Sequence, residues 1–277
     1  MSTATDPAVA AREPARALPP RQRWRPAFEF WWVQYLRTWK GSVISRFLMP
    51  VMFLVSMGLV LGDLVDERAG GVEGLPYLQY VVPGILAAQA MWVAMGESTY
   101  SVYGAIRWNR QYHAMLAAPL TVRDVLLGHL AYVALSVTFG TVVFVGVGAL
   151  FGSWSSPLVL LAVPFVVLTG MAFSVPCFAF AAQVKDNTDQ GFALLFRFVM
   201  TPLFLFSGTF FPVSQLPGPL QAVAYATPLW HGVDASRMLA TGRPDWAGLG
   251  LHGLYLLVVL TLALWWAWRA FHRRLVV

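Results

Sequence analysis

Six stretches of the chain are almost wholly apolar, and most charged residues gather in the segments between them. The stretches run from about Ser42 to Gly62, Leu78 to Tyr103, Val125 to Phe151, Leu158 to Ala182, Gly191 to Phe211 and Leu249 to Trp268. Each reaches the roughly 20 residues that a helix needs to cross a hydrocarbon core. The pattern predicts an all-α integral membrane protein with six transmembrane helices. Pro83, Pro164, Pro176 and Pro202 fall inside these stretches, and packed membrane helices tolerate the kinks they impose.

The remaining segments are short and differ in character. Residues 1–23 are rich in Ala, Pro and Arg without an apolar run, which predicts a disordered cytoplasmic tail rather than a secretory signal. WRPAFEFWWVQYLRTWK, residues 24–40, mixes aromatic and basic side chains. It is too charged to span, and predicts an interfacial helix lying among lipid headgroups. Residues 24–270 thus form one transmembrane domain, followed by a short cytoplasmic tail at 271–277.

Composition reinforces this picture. The chain is 58% hydrophobic and 12% charged, whereas soluble domains carry roughly 25% charged residues. A water-facing surface is therefore excluded. The single cysteine, Cys177, rules out a disulfide framework or a cysteine zinc site within one chain. The net charge of +6 does not call for nucleic acid. With the N-terminus inside, 16 of the 19 basic residues fall on the cytoplasmic side, leaving only Arg68, Arg237 and Arg243 outside. The positive-inside rule favours that orientation, which places both termini in the cytoplasm.

Candidate chemistry is sparse. No G-x-x-x-x-G-K-[ST] run is present to cradle phosphates, no H-E-x-x-H occurs, and the five histidines are scattered. The chain is therefore expected to be no enzyme and to bind no metal or cofactor itself. A Ser207–His252 intramembrane protease would need G-x-S-G, but Leu205 holds the first glycine position. Glu97, near the cytoplasmic end of the second stretch, is the one buried carboxylate candidate, within reach of interfacial water or Arg107. A proton-driven transporter would need several such groups. Their scarcity points to an external source of energy.

Two connections carry more information than loops should. Residues 105–118 are compatible with a short cytoplasmic helix that Pro119 ends, with Thr121 or Asp124 capping the next. Tyr112, Met115 and Leu116 share one face of it, which predicts an apolar docking surface for a partner. The second connection, residues 207–246, is long, apolar and rich in proline. It predicts short outer re-entrant helices at about 218–226 and 229–239.

These passages carry a family resemblance. AMLAAPLTVRDVLLGHL (114–130), PGILA (83–87), SGTFFPVSQLP (207–217) and PLWHGVDASR (228–237) resemble, in order and spacing, the permease subunits of type 2 ABC exporters. The likeness covers roughly residues 25–270 and looks strongest to nodulation-factor lipo-oligosaccharide permeases and daunorubicin-resistance permeases. It implies a permease subunit in the bacterial plasma (inner) membrane that pairs with a second, identical or homologous permease. Two copies of an ABC ATP-binding subunit would hold ATP and Mg. The cargo would be an amphipathic lipo-oligosaccharide, glycolipid or polysaccharide, with multidrug efflux as the alternative. Arg107, Arg110, Tyr112, Met115, Leu116 and Pro119 would form the ATPase-coupling helix, without the acidic start common in relatives. Spans one, two and five would line the substrate pathway with Phe53, Met57, Met91, Trp92, Glu97, Phe198 and Phe204. Phe210, Phe211, Pro228 and Trp230 would form an outer gate. Membrane lipid is an expected partner and nucleic acid is not.

Overall fold

A computed structural model describes residue 19, residues 22–184 and residues 190–276. Most of the predicted N-terminal tail, Lys185 and Val277 lie outside these described residues. Among the described residues, all regular elements are helical apart from one isolated bridge, Val72 to Leu75. In chain order they are α1 (Trp24–Val55), a π-helical segment Ser56–Gly62, α2 (Asp63–Ala69), α3 (Tyr77–Ser98), α4 (Tyr100–Arg107) and α5 (Gln111–Leu116). There follow α6 (Val122–Leu150), α7 (Val159–Gln183), α8 (Gln190–Leu195), a second π-helical segment Phe196–Met200 and α9 (Thr201–Phe206). After a 3₁₀ turn at Val213–Gln215 come α10 (Gly218–Tyr225), α11 (Pro228–Ala240) and α12 (Trp246–Leu275).

Among the described residues, four helices are long and apolar enough to cross a membrane: Tyr77–Arg107, Val122–Leu150, Val159–Gln183 and Trp246–Leu275. The chain is a multi-pass membrane protein. The other two predicted spans differ. Helix α1 is long but less apolar, and Gln190–Phe206 is an apolar helix of under 18 residues. Each of these two runs through a π-helical segment. The predicted interfacial helix and first span are one continuous helix through Lys40 and Gly41. No proline or capping side chain intervenes there, and the chain's Pro50 lies inside the helix further on. The expected tail at 271–277 is likewise helical to Leu275.

The core lies where α7 packs on α12, α3 and α11, and where α1 runs along α6. Close approach of α1 and α6 depends on Gly128. A Cβ there would meet the Cβ of Ala27 at 2.5 Å and the backbone of Phe28 and Trp24 at 2.8 Å. Helix α6 starts at a capping box: Thr121 Oγ1 accepts from the Asp124 amide, and Asp124 Oδ2 accepts from the Thr121 amide at 2.9 Å. Between α3 and α4 the backbone breaks at Thr99 (φ −102°, ψ −93°), whose hydroxyl donates to the Met95 carbonyl.

Candidate functional site

The corner from α4 to α6 is built from the residues singled out in the sequence, but with its faces reversed. The expected single helix over 105–118 is two helices. Trp108 turns back over Gly104 and meets Tyr103 edge-on at 5.5 Å, and Arg110 adopts the left-handed conformation (φ +49°). Such a backbone is uncommon for a residue with a Cβ. Tyr112 is fully buried and Met115 is 9% exposed, so neither presents an outward docking face. Leu116 is half-buried against the core. The reason is the helical period. Positions 112, 115 and 116 share one face, and the nearest apolar surface for that face is the protein itself. The opposite side carries Arg110, His113, Ala114 and Ala117, which are exposed, as are Arg107, Trp108 and Pro119.

Tyr112 anchors α5 in an aromatic cluster drawn from five helices. Its hydroxyl and His129 Nδ1 of α6 share a hydrogen bond of 2.6 Å. Its ring meets Phe271 of α12 edge-on at 5.5 Å. Trp31 of α1 stacks on His129 at 3.7 Å, and Phe178 of α7 meets the same imidazole at 4.9 Å. Burial pushes the Tyr112 phenol well above its ordinary pKa, so it remains a neutral hydrogen-bonding group. A short helix that could not fold alone is thereby held against α1, α6 and α12.

Higher in the molecule, Glu97 is paired with Arg46 rather than Arg107. Arg46 Nη2 lies 3.4 Å from Glu97 Oε1, with the guanidinium 9% exposed and the carboxylate 28% exposed. Arg46 also donates to the Ser136 carbonyl at 2.9 Å and to the Ser136 hydroxyl, which itself donates to Glu97. Arg46 thus turns inward and ties α1 to α3 and α6.

Of the other pathway candidates, Phe53, Trp92 and Phe204 come together. Phe53 stacks on Phe210 at 6.5 Å, Phe210 meets Phe204 edge-on at 5.0 Å, and Phe204 meets Trp92 at 6.1 Å. Met91 is fully buried with Met200 and Leu229 in a cluster against which Trp92 and Phe204 pack, and Met57 packs on the main core. Phe198 is 66% exposed and joins neither. Of the gate candidates, Phe210 belongs to the aromatic chain, Phe211 is half-buried, and Pro228 opens α11 behind the capping hydroxyl of Thr227. Trp230 meets Tyr225 at 4.8 Å and His252 at 5.2 Å.

Two arrangements near α11 were not foreseen. Arg237, whose head is enclosed, lies 4.0 Å from the Tyr80 ring and donates to the carbonyls of Tyr80 (3.2 Å) and Gly208 (2.7 Å). It fastens the 207–211 turn to α3. His231 and His252 share a hydrogen bond of 2.7 Å, and His252 Nε2 lies 3.1 Å from Asp234 Oδ2. The only sequence signals were the i, i+3 and i, i+6 spacing of His231, Asp234 and Arg237. Ser207 pairs with Thr227, so its hydroxyl and His252 serve separate local networks.

Comparison with known proteins identifies the family. The model of the ABC-2 type transporter family matches residues 28–240, from α1 to the end of α11. Nodulation protein J of Sinorhizobium fredii is 31% identical over 228 residues, covering 80% of this chain and 83% of that protein. Nodulation protein J of Bradyrhizobium diazoefficiens is 33% identical over 224 residues, covering 79% and 82%. The inner membrane transport permease YadH of Escherichia coli strain K12 is 25% identical over 223 residues, covering 76% and 80%. The match spans the aromatic cluster apart from Phe271, the Arg46–Glu97 pair and both unforeseen networks apart from His252, and on that breadth the chain belongs to the ABC-2 type transporter permeases.

Proposed function

We propose that the chain is the membrane subunit of an ATP-driven exporter of an amphipathic cargo such as a lipo-oligosaccharide, glycolipid or polysaccharide. Permeases of this family pair with ATP-binding subunits, and in this reading two such subunits dock beneath a dimer of identical or homologous permeases. Six spans cross the bacterial inner membrane with both termini in the cytoplasm. Helix α1 with its π-helical continuation, and residues 190–206, supply the two spans beyond the four long apolar helices. Helices α10 and α11 lie at the outer end, with Phe210, Phe211, Pro228 and Trp230 as the gate. The permease performs no covalent chemistry; it changes shape when its partner binds and hydrolyses ATP.

The observation that supports this reading best is the bracing of α5. Tyr112 and Met115 fix its inner face, which leaves Arg107, Arg110, His113, Ala114, Ala117 and Pro119 as a small, firmly held outer ridge. The basic residues suit an acidic rim on the ATPase, and the alanines allow close approach. The ridge, not the apolar face, is the docking surface. Ala114→Glu and Ala117→Glu each place a long charged side chain on it without disturbing the interior. Both variants are expected to reach the membrane at normal levels, to lose at least tenfold in copurified ATP-binding subunit, and to stop export. Full-rate export in both would refute the assignment.

A further inference from the structure

The lower half of α1 carries two adjacent stripes of opposite chemistry, and each lines an opening. Gln34, Thr38, Ser42 and Ser45 recur at helical spacing along the side that faces α3 and α4. There the structure leaves a polar cleft in two connected parts of about 360 and 390 Å³, joined at Ser42 and Glu97. The cleft exists because α1 packs along α6, while its packing on the α3 side is concentrated in the π-helical continuation. Glu97, Gln89, Ser101 and Gln111 add polar groups from the facing helices, and Tyr100, Trp108 and Trp92 supply aromatic walls.

More than a third of a turn round α1, Trp32, Leu36, Trp39 and Val43 line a groove of about 440 Å³ against Leu135 and Phe139 of α6. Its lining is almost wholly apolar. From Trp32 to Val43 it runs roughly 16 Å at the ~1.5 Å rise of a helix, about half of a ~30 Å hydrocarbon core. The cleft and the groove share a wall made of Tyr35, Arg46 and Tyr132. Both volumes fall within the ~300–1,000 Å³ typical of sites for small ligands.

The geometry points to one binding site for a single amphiphile, with its head in the α1–α3 cleft and its acyl chain in the α1–α6 groove. The charges specify the head. Arg46 and Glu97 neutralise one another across the junction, and the rest of the polar lining named above is amide and hydroxyl. An uncharged, hydroxyl-rich head such as a sugar fits this lining, with aromatic faces to stack on its C–H surfaces and amides to bond its hydroxyls. An anionic head would face the Glu97 carboxylate with the guanidinium already committed. The cleft opens beside Trp108, Asn109 and Gln111, at the α4–α5 corner. It therefore lies on the side where cargo is taken up, next to the surface that receives the ATPase. This inference rests on the export reading and assigns its loading site.

The test is equilibrium binding of radiolabelled dodecyl maltoside, below its micellar concentration, to the purified full-length permease in lipid nanodiscs. Dodecyl sulfate and free maltose serve as comparison ligands. Saturable dodecyl maltoside binding is expected at least tenfold tighter than that of dodecyl sulfate or maltose. Ser42→Trp, which fills the cleft, and Val43→Trp, which fills the groove, should each weaken it more than tenfold. Val33→Trp, on an exposed face outside both openings, should leave it unchanged, and melting curves confirm that each variant is folded. Equal affinity for the two detergents, or unaltered affinity in both blocking variants, would overturn the proposal. So would a loss of binding that tracks conversion of a permease dimer to monomer, because the cleft would then belong to a second copy. No ATPase is present, so a negative result leaves the outcome of the Ala114→Glu and Ala117→Glu experiment standing.

Discussion

Removing one oxygen atom at Tyr112 isolates what holds the α4–α6 corner in place. The Tyr112→Phe side chain keeps its ring against Phe271 and Trp31 but loses the 2.6 Å hydrogen bond to His129 Nδ1. Both residues are buried, at 0% and 1% exposure, so no water replaces the lost partner. Leaving a buried polar group unpaired costs about 1–3 kcal/mol. Tyr112→Ala would also empty a closed aromatic site, for which about 3–5 kcal/mol is usual. The first loss should fall on local opening of α5 rather than on global unfolding, since a short helix peels away as a unit. A suitable probe is the buried Met115, replaced by cysteine in a background where Cys177, the chain's only cysteine, is alanine. Its alkylation by a water-soluble maleimide reports how often α5 opens. With opening in rapid equilibrium, about 1–3 kcal/mol corresponds to labelling roughly 5–150-fold faster. A cysteine at the buried Val137 of α6, remote from α5 in sequence, should be unaffected. If Tyr112→Phe changed the rate at position 115 by less than twofold, the hydrogen bond would not be what braces α5. If it accelerated both sites equally, the effect would be global.

Three further outcomes follow from the structure. Glu97→Leu leaves the enclosed Arg46 guanidinium without its carboxylate, which costs about 3–5 kcal/mol when one member of a buried pair is removed. The exposure of the carboxylate places the effect at the low end, and Arg46→Met with Glu97→Leu should recover most of it in a thermal-melt double-mutant cycle. Gly232→Ala would drive a Cβ to 2.1 Å from Thr169 Oγ1, overpacking the α7–α11 contact by about 1–3 kcal/mol. The paired Thr169→Ala change should relieve it in the same melt. Burial, with His252 adding to it, lowers the pKa of His231 from 6.5 to about 4. The unfolded imidazole therefore takes up a proton first. Thermal stability should be flat above pH 6.5, fall as pH drops from 6.5 toward 4, and lose part of that slope in His231→Gln.

What could be read from the chain alone was set by length and period. Apolar runs such as Val125–Phe151 and Leu158–Ala182 leave few options besides a spanning helix, and their observed counterparts start and stop within a few residues. The Thr121–Asp124 cap was legible for the same reason, because its partners are local. The facing of α5 was not. Tyr112, Met115 and Leu116 form an apolar stripe that fits either a partner or the protein's own interior, and only His129, Phe271 and Trp31 decide the matter. Those residues lie far from α5 in sequence. The two π-helical segments also defeat period arithmetic, since each adds a residue to a turn and resets which side chains face inward. The inward turn of Arg46 was not legible either, because a basic residue near a span end usually reaches for headgroups. Here Ser136 and Glu97 supply acceptors inside, and nothing in the linear chain announces a contact between positions 46 and 136.

The clasp at Gly128 has a mechanical consequence. With Ala27 seated on this glycine and Arg46 bonded to Ser136 further along, α1 is fastened to α6 at two points, so the two helices would move as one body. From Ala27 to Phe53 the arm is roughly 39 Å at ~1.5 Å per residue. A rocking motion of only about 5° would swing its far end by roughly 3 Å on that helical length, close to the width of a side chain. Under the proposed function, a small stroke at the base would thus be enlarged where Phe53 meets Phe210.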